Sequence, residues 1–367
     1  VIGNSITLQD PVVAALIESE VSLTRGALSA AVETITHPLY VAKDDLHYNA
    51  RDYGINGIGD ETTKWQTLFD LVPEGATIFM PRLQGGSIWS EINDTIRVTT
   101  NRVKLVGPSR YHFNGGLVFT GVNKPLFGVK AAGFEVRDLG FIGRSPHGLN
   151  PTYGRQIAFD FYGSVLGDVD AWVTNCAFAG LDTAVITRGR NLKMSGCLYG
   201  DVATAWDQLP KTDTYHNTLS NNIVRGNIVE NNRFHGTGTA TRAIIEIRGH
   251  VDYRHGEIRN NYVDNNCRGL LVRAVGNAVT VRGLVVSDNN VFEAFNGLGE
   301  FTSCDTVNIT GNKVLGTGGA TSPVYDAVRL TDCAQAFVSG NELSRIHRSG
   351  FVVAGSTSYA TITNNRM

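Results

Sequence analysis

Thr363-Asn364-Asn365-Arg366-Met367 ends the sequence on a phrase that has already occurred many times. Going backward it reads Ser339-Gly340-Asn341-Glu342-Leu343, Thr310-Gly311-Asn312-Lys313-Val314, Asn289-Asn290-Val291-Phe292, Asn260-Asn261-Tyr262-Val263 and Asn231-Asn232-Arg233-Phe234. Gly196-Cys197-Leu198-Tyr199, Asn175-Cys176-Ala177-Phe178 and Asp138-Leu139-Gly140-Phe141 are looser copies. The pattern is a small residue or Asn, then Asn, then any residue, then a large apolar one. Its second position falls at 139, 176, 197, 232, 261, 290, 312, 341 and 365, with final intervals of 29, 29, 22, 29 and 24. A loosely fixed period of this size marks stacked repeats. Asn scattered through loops would not hold so steady an interval to an apolar residue.

A second phrase precedes the first in most repeats. Gly269-Leu270-Leu271-Val272-Arg273, Ala327-Val328-Arg329-Leu330-Thr331 and Gly350-Phe351-Val352-Val353 each place a Gly or Ala before alternating apolar residues. A period of two predicts strands, and no repeat holds enough 3.6-period sequence for a helix pair. Two or three short strands per repeat describe one coil of a parallel β-helix. Asn suits the corner because it tolerates left-handed backbone and its amide bonds nearby backbone groups. One amide per coil can form a ladder. The expected fold class is all-β: a right-handed parallel β-helix of about eleven coils stacked at roughly 4.8 Å, with a short N-terminal α-helical stem.

Composition agrees. Only 18% of residues are charged and 41 are Gly, which suits strands and tight turns. A net charge of −2 gives no electrostatic case for nucleic acid or an anionic membrane. No apolar run approaches the length of a membrane span, and no signal peptide is visible. The chain opens on Val1, as a fragment or processed form would, and ends on a ladder strand, so truncation or a covering partner is expected there. Of five cysteines, Cys176 and Cys197 hold ladder positions, while Cys304 and Cys333 each lie eight residues before a ladder Asn. They read as small core residues.

Asp10-Pro11 is a helix start, Asp as N-cap and Pro at the first helical position. Ala14, Ile17, Val21, Thr24, Leu28, Ala31 and Ile35 then follow spacings of three and four. That is either the seam of a short coiled coil or the apolar face of a helix packed on its own domain. Residues 1–49 are therefore expected to be a helical stem and linker, and 50–367 a β-helix with an N-terminal capping helix.

The entry to the β-helix is distinctive. Ala50-Arg51-Asp52-Tyr53-Gly54 is followed by Gly57-Ile58-Gly59-Asp60, a helical segment with Trp65, Leu68 and Phe69, and Thr77-Ile78-Phe79-Met80-Pro81. Glycines permit the tight loop, Thr62 or Thr63 can cap the helix, and the helix can plug the open end of the stack. The Gly-x-Gly does not sit between a strand and a helix of a βαβ unit, so it is no dinucleotide loop. This segment resembles the entry of the pectin-lyase-like superfamily of parallel β-helices. With a helix and linker before it, the chain is most similar to phage tailspikes and tail fibres, in which such helices trimerise the chain.

The resemblance implies a virion-tail or otherwise extracellular protein. It would bind, and in an enzyme depolymerise, a bacterial surface polysaccharide, as a homotrimer joined to other tail proteins through its stem. A free extracellular polysaccharide lyase or glycoside hydrolase is the alternative, and a structural virion part without sugar affinity a third. Polygalacturonase motifs (Asn-Thr-Asp, Asp-Asp and Gly-His-Gly on successive coils) are absent. Arg144-Ser145-Pro146 begins a pectate-lyase-like phrase, but Leu149 replaces its second Arg. No cofactor is implied, and no Cys/His cluster suggests a metal.

Candidate site residues come from two places. Trp206, Asp207 and Tyr215 fall in an expected surface loop around 200–218, where an aromatic beside carboxylates would suit a sugar. The second is an outward row. Aligning strands on Ile247, Val272, Phe301 and Leu330 as their last inward residues gives Glu246, Leu271, Glu300 and Arg329 before them, and Arg248 and Arg273 after the first two. Glu246 and Glu300, two coils apart at about 9.6 Å, would be catalytic, with Arg248 and Arg273 holding an acidic sugar. A solvated face of alternating Glu and Arg is the competing reading.

The stem reading makes a direct prediction. Deleting residues 1–36 should weaken self-association while leaving β-rich circular dichroism intact. A full chain that sediments as a monomer at micromolar concentration would sink the trimer.

Overall fold

The structure, a computed structural model, describes residues 46–83, 89–109, 115–162, 168–209, 223–235, 237–239, 242–248, 252–264, 267, 270–276, 281–292, 297–316, 326–346 and 348–367. The helical stem expected at 11–32 lies outside the described residues. The chain divides into Val1–Leu46 and His47–Met367.

Three long parallel sheets run through it, one of twelve strands and two of ten. A coil gives one strand to each in turn. Leu284–Ser287 joins the twelve-stranded first sheet, Asn290–Phe292 the second and Gly299–Thr302 the third, and Thr306–Thr310 returns to the first. Each strand pairs in parallel with its counterpart on the next coil, as Leu284 does with Val307 and Val291 with Val314. The fold is a parallel β-helix, as the period-two phrases predict.

The turn from first to second sheet carries the repeated phrase, and it divides two jobs that the sequence assigned to one Asn. The first residue takes the left-handed backbone: Asp138, Asn175, Gly196, Asn231, Asn260, Asp288, Gly311, Gly340 and Asn364 all have positive φ. The second residue points inward and forms the ladder. Asn232 donates its backbone N–H and its Nδ2 to Oδ1 of Asn261, at 3.1 and 3.0 Å. Asn261 does the same to Asn289, Asn289 to Asn312, Asn312 to Asn341 and Asn341 to Asn365. Each of these amides also donates to a first-sheet carbonyl above it, as Asn261 does to Val229 at 3.0 Å.

One register assignment changes as a result. The ladder residue is Asn289, fully buried, and not Asn290, which is half-buried on the second sheet. Asp288 supplies the left-handed position there, a role Asp fills as well as Asn. Consequently Val291 faces inward and Phe292 outward.

Two residues past the ladder lies the inward row of the second sheet. Phe141, Phe178, Tyr199 and Phe234 stack with successive ring centroids 5.2, 5.2 and 4.9 Å apart. All five thiols are free and buried. Cys197 and Cys176, in ladder positions, donate to the carbonyls of Val173 and Val136.

The helix Thr62–Leu71 buries Trp65, Leu68 and Phe69. Phe69 meets Phe127 and Phe134 edge-on, which seals the first coils. Its N-cap is Glu61 rather than a threonine, and Asp60 Oδ1 accepts from the Thr62 N–H. The buried Glu61 carboxylate accepts from the N–H groups of Asn56 and Gly57 and from Ser90 Oγ, so it clasps the glycine loop to the first coil.

Replacing Asn261, Asn289 or Asn312 by Ala should each cost about 1–3 kcal/mol, because the buried backbone and amide N–H groups of the preceding ladder Asn lose their acceptor and the next ladder Oδ1 loses a donor. Asn290→Ala should stay within about 0.5 kcal/mol, as surface substitutions do. Denaturant melts of the four variants check this. Equal losses at 289 and 290 would contradict the ladder register.

Candidate active site

The third sheet places charge on its outward face. Asp160, Ile186, Asp207, Glu246, Arg273, Glu300 and Arg329 occupy one row, each in register with the next. Stacked strands set them about 4.8 Å apart. Their neighbours Phe159, Val185, Trp206, Ile245 and Val272 form the adjacent inward row.

This geometry moves several expected site residues. Trp206 belongs to the strand Thr204–Gln208 and is fully buried in the core, so its ring is not presented as a sugar platform. The long interval after the ladder residue Cys197 suggested a loop, but the third-sheet strand comes before the insertion. Tyr215 lies outside the described residues. Asp207 sits on the outward row. Arg273 stands in that row between Glu246 and Glu300 rather than beside it, and Leu271 is buried outside it. The alignment slips because Ala274, too small to read as core, is the true partner of Ile247 and Phe301.

Ion pairs knit the row together. Arg273 reaches Glu246 Oε1 at 3.2 Å and Glu300 Oε2 at 3.3 Å. Arg248 donates to Asp207 Oδ2 at 3.1 Å. Arg188 grips Asp160 with two bonds of 3.2 Å. Asp182, in the turn entering the sheet, receives Arg242 at 2.6 Å and Arg155 at 2.8 Å. The sequence reading missed Asp160, Asp182, Arg155, Arg188 and Arg242. A legible signal for one of them was a charge between inward residues, as in Phe159-Asp160-Phe161.

Asp207 and Glu246 differ from the rest. They are the two carboxyls adjacent in the row, and both are nearly inaccessible. Burial raises the Asp207 pKa above its ordinary value, Arg248, Arg242 and Arg155 offset it in part, and Asp182 pushes it further up. Its Oδ1 is buried without a hydrogen-bond partner among the described residues. Burial likewise raises Glu246, against the pull of the Ala243 N–H at 2.7 Å and of Arg273 and Arg248. Asp182 goes the other way: burial works against its charge, but Arg242 and Arg155 outweigh it and lower its pKa. Neighbouring carboxyls whose pKa values are pushed in opposite directions, Asp207 and Glu246 up and Asp182 down, are an arrangement that supports acid–base chemistry. Among the described residues no group of three or more His, Cys, Asp or Glu side chains is placed to hold a metal ion.

No protein-family model matches the chain. No curated protein matches it either. Solved structures do match. ORF18 of Geobacillus virus E2 is 11% identical with a TM-score of 0.58, over 91% of this chain and 63% of that one. The enzymatically active domain of tailspike protein 2 from bacteriophage CBA120 is 10% identical with a TM-score of 0.63, over 86% of this chain and 47% of that one. An alginate lyase from Paenibacillus sp. str. FPU-7 is 10% identical with a TM-score of 0.55, over 88% of this chain and 99% of that one. At these identities the likeness is one of fold, and this chain has the parallel β-helix of phage tailspikes and polysaccharide lyases.

Proposed function

We propose that this chain is the β-helix of a phage tailspike or tail fibre that binds a bacterial surface polysaccharide along its third sheet and hydrolyses it there. The observation that carries the catalytic part is the adjacent, buried pair Asp207 and Glu246, both with raised pKa values. The viral part is supported by the two phage-derived structures of the same fold. Asp207, whose pKa burial raises, would give its proton to the glycosidic oxygen as the bond to the anomeric carbon breaks. Glu246, on the next strand, would attack the anomeric carbon in its ionised form, and water, giving its proton to Asp207, would then hydrolyse the glycosyl–enzyme bond. Adjacent strands set the pair about 4.8 Å apart, closer to the ~5–5.5 Å of retaining glycosidases than to the ~6.5–9.5 Å of inverting ones. Glu300 would hold Arg273 in place, and Arg273 and Arg248 would bind oxygens of the sugar. A free extracellular depolymerase is the second reading, favoured by the alginate lyase, 99% of whose length this chain spans.

Reducing-end release from capsular and O-chain polysaccharides, measured with binding, tests the proposal. Asp207→Asn and Glu246→Gln should lower release by at least about a hundredfold, the ordinary worth of a general acid, with binding within a few-fold of the parent. Glu300→Gln should keep most of the activity. Parent-like release by Asp207→Asn would overturn the assignment.

The pKa directions also predict pH behaviour. Both folded-state values are raised, so the pair contributes stability below the ordinary values of 3.8 and 4.5 and loses it as pH rises through the raised ones. Cleavage needs Asp207 protonated and Glu246 ionised, so release should rise as Glu246 loses its proton, pass through a maximum and decline as Asp207 loses its own. The Asp207→Asn/Glu246→Gln double variant should show a smaller fall in Tm on going from pH 4 to neutral. An unchanged pH dependence of Tm would contradict the raised values.

A further inference from the structure

The first sheet carries a second feature, on a different sheet from the acid row. Thr77, Lys104, Glu135 and Trp172 lie in register on its outward face. Trp172 is 45% exposed, the one exposed Trp among the described residues. It borders a groove of about 610 Å³ shared with Asn101, Arg102 and Asp170. That size is typical of small-molecule and cofactor sites, at ~300–1,000 Å³.

The backbone here is irregular. The strand Asp168–Thr174 loses register between Asp168 and Ala171, and Asp170 has a φ of 41°. A bulge of this kind re-aims side chains and is enriched beside functional sites. Asp170 is held in place by Asn191, whose Nδ2 donates to Oδ1 at 2.7 Å.

The charges of the groove are mostly matched from within. Arg102 pairs with Glu74 at 3.4 Å and Lys104 with Glu135 at 3.3 Å. Among the described residues that line the groove no cation is left over to attract a polyanion. A single indole in a polar surround also lacks the contiguous apolar area of a protein-docking patch. It does offer a flat face on which the C–H face of a pyranose can lie, ringed by amide and carboxylate groups that bond hydroxyls.

We propose that the Trp172 groove is a non-catalytic subsite for neutral sugar residues of a polysaccharide. It rests on the reading of the chain as a polysaccharide binder. Its effect is to anchor polymer on the first sheet while the third sheet acts on another stretch.

Affinity electrophoresis through gels containing dextran, mannan, xylan or alginate tests this, with Trp172→Ala, Trp172→Phe and Asp207→Asn beside the parent. Retardation by a neutral polysaccharide should weaken about tenfold in Trp172→Ala, a factor within the range of aromatic contacts. It should persist in Trp172→Phe, and Asp207→Asn should stay within a few-fold of the parent. Circular dichroism should show all variants folded, since the ring is half-exposed. Equal retardation of parent and Trp172→Ala would overturn the groove and leave the acid pair standing. So would a Trp172→Ala variant that changes sedimentation but not retardation, which would mark the face as a contact between copies. A parent retarded by no neutral polysaccharide would overturn the groove, while release of reducing ends from any substrate would still uphold the acid pair.

Discussion

A parallel coil must turn corners inside its own core, and each corner buries an N–H that the strands cannot satisfy. An unpaired buried donor is costly, so the turn needs an internal acceptor on every coil. In a register where each residue meets its counterpart, the side chain that answers itself is an amide, donor and acceptor at once. The run from Asn232 to Asn365 meets this requirement without a break. Above Asn232 the solution changes. Cys197, Cys176 and Leu139 hold the ladder positions, and the rings of Phe141, Phe178, Tyr199 and Phe234 fill the row beside them. Below, that row shrinks to Val263, Val291 and Val314. The aromatic stack thus covers the coils without amides and the first coil with one, and the later amide coils fill the row with Val263, Val291, Val314 and Leu343.

The same register places the candidate site. Fixing the corner fixes which side chains of the third sheet point outward, because strand alternation allows no half-steps. Along that row charges of one sign are mostly kept apart. Ile186 separates Asp160 from Asp207, and Arg273 separates Glu246 from Glu300. Only between Asp207 and Glu246 do two acids stand directly opposed. Like charges opposed on a sheet are destabilising, and burial makes the opposition worse. This is the pair to which the proposed hydrolysis assigns its acid and its nucleophile.

Much of this was legible in the sequence. The interval between Asn phrases identifies the stacked coils, while the first-sheet strand His47–Asn49, which precedes the entry segment at 50–81, carried no repeat signal. Register was read less well, and by the same physical cause each time. Asp288 can adopt left-handed backbone as Asn does, so two consecutive Asn residues at 289 and 290 left the ladder position ambiguous. Ala274 fills an inward slot with little apolar signal, which shifted Arg273 off the row. Trp206 looked like a loop residue because an insertion follows its strand. Asp182, Arg155 and Arg242 meet in space from turns far apart in sequence, and no local pattern records that.

A β-helix quantises the distance between outward groups. Carboxyls on one row are about 4.8 Å apart on adjacent coils or about 9.6 Å across two, with nothing between. An inverting pair therefore needs the two-coil spacing and an empty middle position to admit water. Glu246 and Glu300 have the spacing, but Arg273 fills the middle and binds both. Asp207 and Glu246 have the adjacent spacing, with no side chain interposed in the row. Of the two carboxyl spacings that glycosidases use, the adjacent one proposed for Asp207 and Glu246 is the one the side chains of this row leave open.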